Sequence, residues 1–196
     1  GYGEGWAGAQ AELILEDGTA GDQVSLQAPP AGSRLIEPVM IRGRWIAPGD
    51  ENAILVNEMF AARFPALAVG DALKLQVNGE ETEWVVVGFF RFAGKNGGYA
   101  AYASYDYLAG LTYQPNKAAT FRVMADRPGL SEAGQDQLAG AIQARLDQAG
   151  IRVVDLTTGA YLTGIAGGAF GVLTAFLLFL AILTALVGSI GLAGTM

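Results

Sequence analysis

The chain has 196 residues, of which 12 are basic and 19 acidic, and its formal net charge at pH 7 is −7. It contains no cysteine and no histidine, which excludes disulfides, thiolate nucleophiles, Cys/His zinc sites and histidine-based catalytic triads. An acidic chain without a basic stripe is not expected to bind nucleic acid, or to bind anionic lipid headgroups through charge.

The first 30 residues predict a flexible entry followed by a β-hairpin. Glycines alternate with Tyr2 and Trp6 at the start of the chain, outside the strand and helix context that a phosphate-binding loop needs. We interpret this start as flexible. Ala11–Leu15 and Gln23–Gln27 are short strand candidates, and the residues between them are rich in Gly and Asp, which favour turns.

The next segment predicts a loop, a strand and a short helix. Residues 38–50 are rich in Pro and Gly and contain Trp45, which suggests a loop with an aromatic anchor. Ala53–Val56 is a compact apolar strand. It leads into Asn57, a favourable N-cap residue, and a helix that Pro65 ends.

The clearest local prediction is a second hairpin. Asn78-Gly79 suits the positive φ angles of a type I′ turn, and it lies between the strands Leu73–Val77 and Glu81–Phe90. The continuous apolar run Trp84–Val87 predicts that the second strand is buried on both faces.

The densest aromatic cluster follows this hairpin and contains Tyr99, Tyr102, Tyr105 and Tyr107. Tyrosine favours interfaces because it combines a large apolar body with a polar tip, so these residues are a candidate partner surface. Edge strands and half-buried helices use tyrosine as well, and that interpretation stays open. The preceding Gly94–Gly98 does not satisfy the Walker A pattern, so no cofactor is expected in this chain.

The end of the charged region predicts a βαβ unit. Ala118–Ala125 and Ile151–Leu156 have the composition of strands, and Ser131–Ala149 has apolar residues at helical spacing. Together with the hairpins, this unit predicts an α+β domain with a mixed sheet.

Residues 161–196 contain no charged side chain, and Phe170–Leu192 is almost entirely apolar. Such a run reaches roughly 35 Å as a helix, enough to cross a hydrocarbon core of about 30 Å. We therefore predict an α+β domain over residues 1–156, with two subdomains as an alternative, a stalk or junction over 157–169 and a transmembrane helix over 170–196. A buried helix of a soluble protein is the alternative for this last segment. Because the chain begins at Gly1, we expect it to be part of a longer membrane protein.

Small residues recur at helix-packing spacing in this segment. Gly164 and Gly168 form one GxxxG pair, and a second stripe consists of Ala181, Ala185, Gly188 and Gly191. Small residues let two membrane helices approach closely, which predicts contact with another helix. The alternative is that glycine is simply common in membrane helices.

Several motifs in this order resemble the FtsX/MacB-like ABC transporter permeases. They are Gly43-Arg44-Trp45 with Pro48-Gly49-Asp50, Ala53-Ile54-Leu55-Val56-Asn57, Val69-Gly70-Asp71, Val85-Val86-Val87-Gly88, and the final Ala185-Leu186-Val187-Gly188-Ser189-Ile190-Gly191. The resemblance extends from about Leu35 to the end of the chain. Ser189 and residues 193–195 depart from the family pattern, which leaves the subfamily open.

The resemblance implies a MacB-like core domain on the extracytoplasmic side of the cell membrane, followed by a membrane helix. It implies a permease subunit that is not itself an enzyme and depends on a separate or fused ABC ATPase to handle ATP. Expected partners are that ATPase, a second permease copy or paralogue, the lipid bilayer, and an adaptor, lipid, lipoprotein or peptide outside the cytoplasm. The outer domain would couple ATP-driven helix motion to the handling of these partners.

Two other function classes remain. One is a membrane-anchored binding or sensor domain without a transport role. The other is a membrane-anchored hydrolase, for which exposed carboxylates such as Asp50, Asp71 and Asp106 would be the candidates. Paired carboxylates must face each other across a cleft, and nothing in their spacing indicates this.

Overall fold

The structure is a computed structural model that describes residues 1–91, 98–127, 129–161, 174–182 and 184. The chain divides into two compact units, Gly1–Asp126 and Arg127–Met196, and each is described by itself.

The described part of the first unit contains eight strands and two short helices. The strands are β1 (Tyr2–Ile14), β2 (Ala20–Ala28), β3 (Val39–Gly43), β4 (Ala53–Asn57), β5 (Ala72–Val77), β6 (Glu80–Arg91), β7 (Tyr99–Ala103) and β8 (Thr120–Met124). The helices are α1 (Glu58–Arg63) and α2 (Tyr105–Leu111).

Six of these strands close into a ring. β1 pairs antiparallel with both β2 and β5, β2 runs parallel to β7, β7 is antiparallel to β4, β4 is parallel to β6, and β6 is antiparallel to β5. β8 pairs with the first residues of β1, and β3 pairs with the last residues of β6. The predicted fold class, a mixed-sheet α+β domain, is confirmed.

Apolar side chains from all six ring strands, together with Phe60 of α1 and Leu108 of α2, form the main core. A second apolar cluster lies on the other face of β4, β6 and β7, where Leu35, Met40 and Trp45 pack against it. β4 serves both clusters, because its side chains alternate between them. The segment with the Trp45 anchor therefore covers the outer face of the sheet.

The Asn78-Gly79 hairpin is confirmed, since β5 and β6 pair antiparallel up to Val77 and Glu80 and the φ angles are 52° at Asn78 and 85° at Gly79. The prediction that β6 is buried on both faces holds for residues 86–90. A register shift between β4 and β6 lets Val86 and Phe89 face the main core while Val87 and Phe90 face the outer cluster.

The flexible entry predicted at the N-terminus is wrong. β1 begins at Tyr2 and pairs with β8, with Gly3 opposite Val123 and Gly5 opposite Phe121. Gly5 is needed for close packing: a Cβ on Gly5 would lie 2.9 Å from that of Ala118, a separation that real side chains do not adopt, whereas a Cβ on Gly3 would make ordinary contacts. Gly5 therefore lets the two strands and their neighbours fit together.

The βαβ unit is wrong as well. The strand and the helix are present, as β8 and as α3 (Glu132–Gln148), but residues 151–156 form no strand. β8 runs antiparallel to β1 instead. Because the start of β1 was interpreted as flexible, the true partner of β8 was missing from the prediction.

In the second unit, α3 begins at the N-cap Ser131, whose hydroxyl accepts a hydrogen bond from the Gly134 N–H. Residues 159–161, 174–182 and 184 are helical. Among the described residues, none of the helices combines the length and apolar character that a membrane crossing requires. Most of the predicted span 170–196 lies outside these residues. That span and the boundaries 1–156 and 157–169 stay predictions.

Candidate functional site

The tyrosines predicted as a partner surface belong to the first unit, where their aromatic rings pack against other side chains. The ring of Tyr99 lies 4.9 Å from that of Phe60 and the ring of Tyr107 lies 5.0 Å from that of Trp84, both edge to face. Their packing against the main core accounts for the aromatic cluster, and a role in partner binding stays a prediction.

Tyr102 and Tyr105 have equally specific places. Tyr102 is buried in the outer cluster, where its ring centroid lies 5.2 Å from that of Trp45 and 6.2 Å from that of Trp6. Burial raises the pKa of its hydroxyl, and nearby Arg122 acts in the opposite direction. The Tyr105 hydroxyl donates to the Lys117 carbonyl at 2.9 Å.

Most of the predicted helix-packing residues lie outside the described residues: Gly164, Gly168, Ala185, Gly188 and Gly191. Ala181 is described. It lies in the helical residues 174–182 and is exposed. The close helix contact that these residues suggest stays a prediction.

The three candidate hydrolase carboxylates have structural or exposed positions. Asp50 forms a two-bond ion pair with Arg44 and accepts the Ala47 N–H, and the hydrogen bond from Arg44 is the main cause of its lowered pKa. Asp71 accepts the Ala68 N–H, and Asp106 is exposed in the first turn of α2. Asp50 is thus held ionised by its partners, which does not suit a general acid.

One groove of about 370 Å³ combines charged, amide and hydroxyl groups. It lies where β1, β2 and β8 meet, and Trp6, Gly8, Gln27 and Arg122 are among the residues that line it. We call it the Arg122 groove. Trp6 comes from the segment that sequence analysis interpreted as flexible, and β8 brings Arg122 beside it through the pairing of Trp6 with Thr120.

The guanidinium carbon of Arg122 lies 3.8 Å from the Trp6 ring centroid, a cation–π arrangement. Its Nη2 donates to the Gln27 side-chain oxygen at 2.9 Å. These two contacts fix the cation at the groove wall and leave further N–H donors for other acceptors.

Glu4 lies beside this groove in the strand pairing, but its carboxylate hydrogen-bonds to residues other than Arg122. It is opposite Arg122 in the β1–β8 pairing, yet its carboxylate accepts bonds from Trp6 Nε1 at 3.0 Å, the Ser33 hydroxyl at 2.5 Å and the Arg34 N–H at 2.8 Å. Burial acts to raise the pKa of Glu4, but hydrogen bonds from Ser33, Arg34, Trp6 and Tyr2 together outweigh burial and lower the pKa to about 2. The ionised Glu4 therefore holds the chain at Ser33 and Arg34 against β1.

No group of three or more acidic side chains that could hold a metal ion occurs within the described residues. A shallow second depression is lined mainly by backbone and valines around Gly43 and Gly70, and it offers little chemistry for a ligand. The expectation that the chain carries no cofactor is untested.

The second unit contains a junction that the sequence did not reveal. The side-chain amide of Gln135, in the first turn of α3, donates to the Leu130 carbonyl at 3.1 Å and accepts the Ala160 N–H at 2.9 Å. The Tyr161 N–H is 3.3 Å from the Thr158 hydroxyl that accepts it. The start of the helix at residue 159 is thus tied to the start of α3.

The fold resembles solved domains of membrane transporters. The extracellular domain of the noncanonic ABC-type transporter YknZ from Gram-positive bacteria aligns with a TM-score of 0.53 and 13% identity, over 80% of each chain. The periplasmic region of MacB from Actinobacillus actinomycetemcomitans aligns with a TM-score of 0.48 and 11% identity, over 74% of this chain and 67% of that chain. A domain of a putative permease protein from Porphyromonas gingivalis aligns with a TM-score of 0.44 and 16% identity, over 74% of this chain and 70% of that chain.

No protein-family profile matches the sequence. No curated protein matches it either. At these identities the likeness to YknZ shows a shared fold, and function has to be argued further.

Sequence reasoning missed Glu4, Arg122 and Gln135. Glu4 had a usable signal, because Tyr2, Glu4 and Trp6 alternate with glycines at the period of a strand. Arg122 had none, since Gln27 and Trp6 lie about a hundred residues before it in the chain.

Proposed function

We propose that this chain is the extracytoplasmic domain of an ABC-type transporter permease together with its following membrane segment. The observation that carries the proposal is the fold, which aligns with the extracellular domain of YknZ over 80% of each chain. The ordered motifs from Gly43 to Gly88 and the final apolar segment support it independently, because they rest on the sequence alone.

The described helical residues near the C-terminus fit a membrane segment. Phe176, Leu177, Leu178 and Phe179 are each 56–62% exposed, so no core within the described part of the chain buries them. A run of exposed apolar side chains without charge is stabilised by lipid or by another apolar helix. The lipid bilayer and a second permease copy are the partners proposed for this face.

The junction at residue 159 supports a mechanical role for the outer domain. A flexible linker would let the membrane segment move independently, whereas the Gln135 side chain of α3 accepts the Ala160 N–H and holds the start of the helix against α3. The Thr158 hydroxyl accepts the Tyr161 N–H within that start. We propose that an ABC ATPase subunit or domain moves the membrane segment and that α3 receives this motion. The permease itself carries out no chemical step.

Labelling of a single introduced cysteine tests on which side of the membrane the domain lies. Because this chain contains no cysteine, Glu16→Cys at the exposed turn between β1 and β2 adds one accessible thiol. We expect a membrane-impermeant maleimide to label it in intact cells that produce the full-length protein. The control is Ala103→Cys in β7, which is fully buried and should react only after denaturation.

The unsubstituted protein gives the background from any other cysteine. Labelling of Glu16→Cys only after the cells are permeabilised would place the domain in the cytoplasm and contradict the proposed function.

A further inference from the structure

The Arg122 groove contains a cation without a carboxylate partner. The ion pairs among the described residues join Gly1 to Asp126, Arg44 to Asp50, Lys74 to Glu81 and Arg91 to Glu58, and none involves Arg122. Its contacts are the Trp6 ring and the Gln27 amide, both neutral. Arg122 is half-buried, in a chain of net charge −7.

The acidic residue opposite Arg122 in the strand pairing bonds to other groups. Glu4 is opposite Arg122 in the β1–β8 pairing, but its two oxygens accept bonds from Trp6, Ser33 and Arg34. Those bonds occupy Glu4, so the N–H donors of Arg122 that do not bind Gln27 stay available to the groove.

The rest of the groove surface is polar and uncharged. Gln10 and Ser25 face each other across the β1–β2 pair, and Thr120 lies at the start of β8. Their amides and hydroxyls can each donate or accept hydrogen bonds. These groups and the guanidinium line the same groove.

We propose that the Arg122 groove binds a small carboxylate that has a hydrogen-bonding group, such as an amide, next to its charged end. The planar guanidinium takes the carboxylate in the two-bond arrangement that suits it, and the glutamine and hydroxyl groups take the neighbouring polar atoms. The volume of about 370 Å³ limits the bound part to a small organic acid. This site does not depend on the transporter assignment.

Arg122 stacks on Trp6, which provides a direct signal. The indole N–H resonance of Trp6 can be assigned by comparison with Trp6→Phe, and the full chain in a neutral detergent can be titrated with N-acetylglycine at constant ionic strength. We expect a saturable shift of this resonance. N-acetylglycinamide has the same amide without the charge, and it should bind at least about tenfold more weakly, as expected for loss of a charge-assisted pair.

Variants separate the groove from general surface charge. Arg122→Gln should weaken N-acetylglycine binding by about tenfold or more. Arg42→Gln is the matched control, because Arg42 also lies 3.8 Å from a ring centroid, that of Phe89, but donates to the Leu67 carbonyl outside the groove. It should bind like the unsubstituted chain.

Arg122→Lys keeps the charge and controls for a loss of binding that is caused by misfolding. It should fold, as judged by an unchanged unfolding midpoint, and bind more weakly than the parent because lysine lacks the planar fork. The proposal is overturned if N-acetylglycine gives no saturable shift or if Arg122→Gln binds as well as Arg42→Gln. Tighter binding of inorganic phosphate than of N-acetylglycine would also overturn the carboxylate assignment.

Discussion

Replacing Gly43 by alanine is expected to lower the free energy of unfolding by roughly 2 to 5 kcal/mol, one of the two largest effects of any change considered. Gly43 has a φ of +78°, which strains any residue with a Cβ. A Cβ there would also lie 2.6 Å from the Gly88 Cα and nearer still to the Val87 carbonyl oxygen. The contact joins β3 to β6, so the strands would have to separate.

Gly49 is the matched control for Gly43. Its φ is +89°, but an added Cβ would meet nothing within 4 Å. Gly49→Ala should therefore cost only the backbone strain, about 1 kcal/mol. Chemical denaturation of the purified full chain, monitored by tryptophan fluorescence, measures the free energy of unfolding of both variants. Equal losses in the two variants would show that the approach of β3 to β6 does not matter for stability.

The second large effect is functional. Inserting about ten Gly/Ser residues after Thr158 should abolish the transport or extrusion phenotype of the intact transporter while ATP hydrolysis persists. The insertion separates Gln135 from Ala160 and replaces a short tie with a flexible linker, so helix motion no longer reaches α3. ATP hydrolysis by purified transporter and the cellular phenotype are measured side by side.

The control is the same insertion after Gly18, at the exposed turn between β1 and β2, which lengthens the chain without touching the junction. It should keep both activities. If the insertion after Thr158 kept its full phenotype, mechanical coupling through residues 158–161 would be excluded, and the domain would be better described as a passive binding module.

Local sequence signals were enough where one short segment decides the structure. The Asn78-Gly79 turn predicted the β5–β6 hairpin, and the apolar run Trp84–Val87 predicted a strand buried on both faces. Such features depend on neighbours within a few residues.

Long-range pairing explains what the sequence did not reveal. Gly5 at the start of β1 has no room for a side chain because Ala118 and Phe121 lie against it, and those residues are over a hundred positions away in the sequence. Because the pairing of β1 with β8 was missed, β8 had no partner strand in the prediction, and residues 151–156 were wrongly assigned as that partner. The six-strand ring depends on further distant pairs, such as β2 with β7.

The candidate site was even less predictable than the fold. Tyr102 was selected as a surface residue, but the packing of Trp6, Trp45 and Phe90 around it buries it. Arg122 gains its place only through β8 pairing, and Gln135 only through the return of the chain at residue 160. A single sequence carries no signal for contacts of this kind.

We propose that this domain belongs to a permease that works with an ABC ATPase. The direct measurement is to tag the full-length protein, purify it from its native membranes in mild detergent, and identify its partners by mass spectrometry. We expect an ABC ATPase in stoichiometric amount, or an ATPase domain in the same polypeptide, with ATP hydrolysis in the purified complex. Recovery of the intact membrane protein with neither an ABC ATPase nor ATP hydrolysis would contradict it.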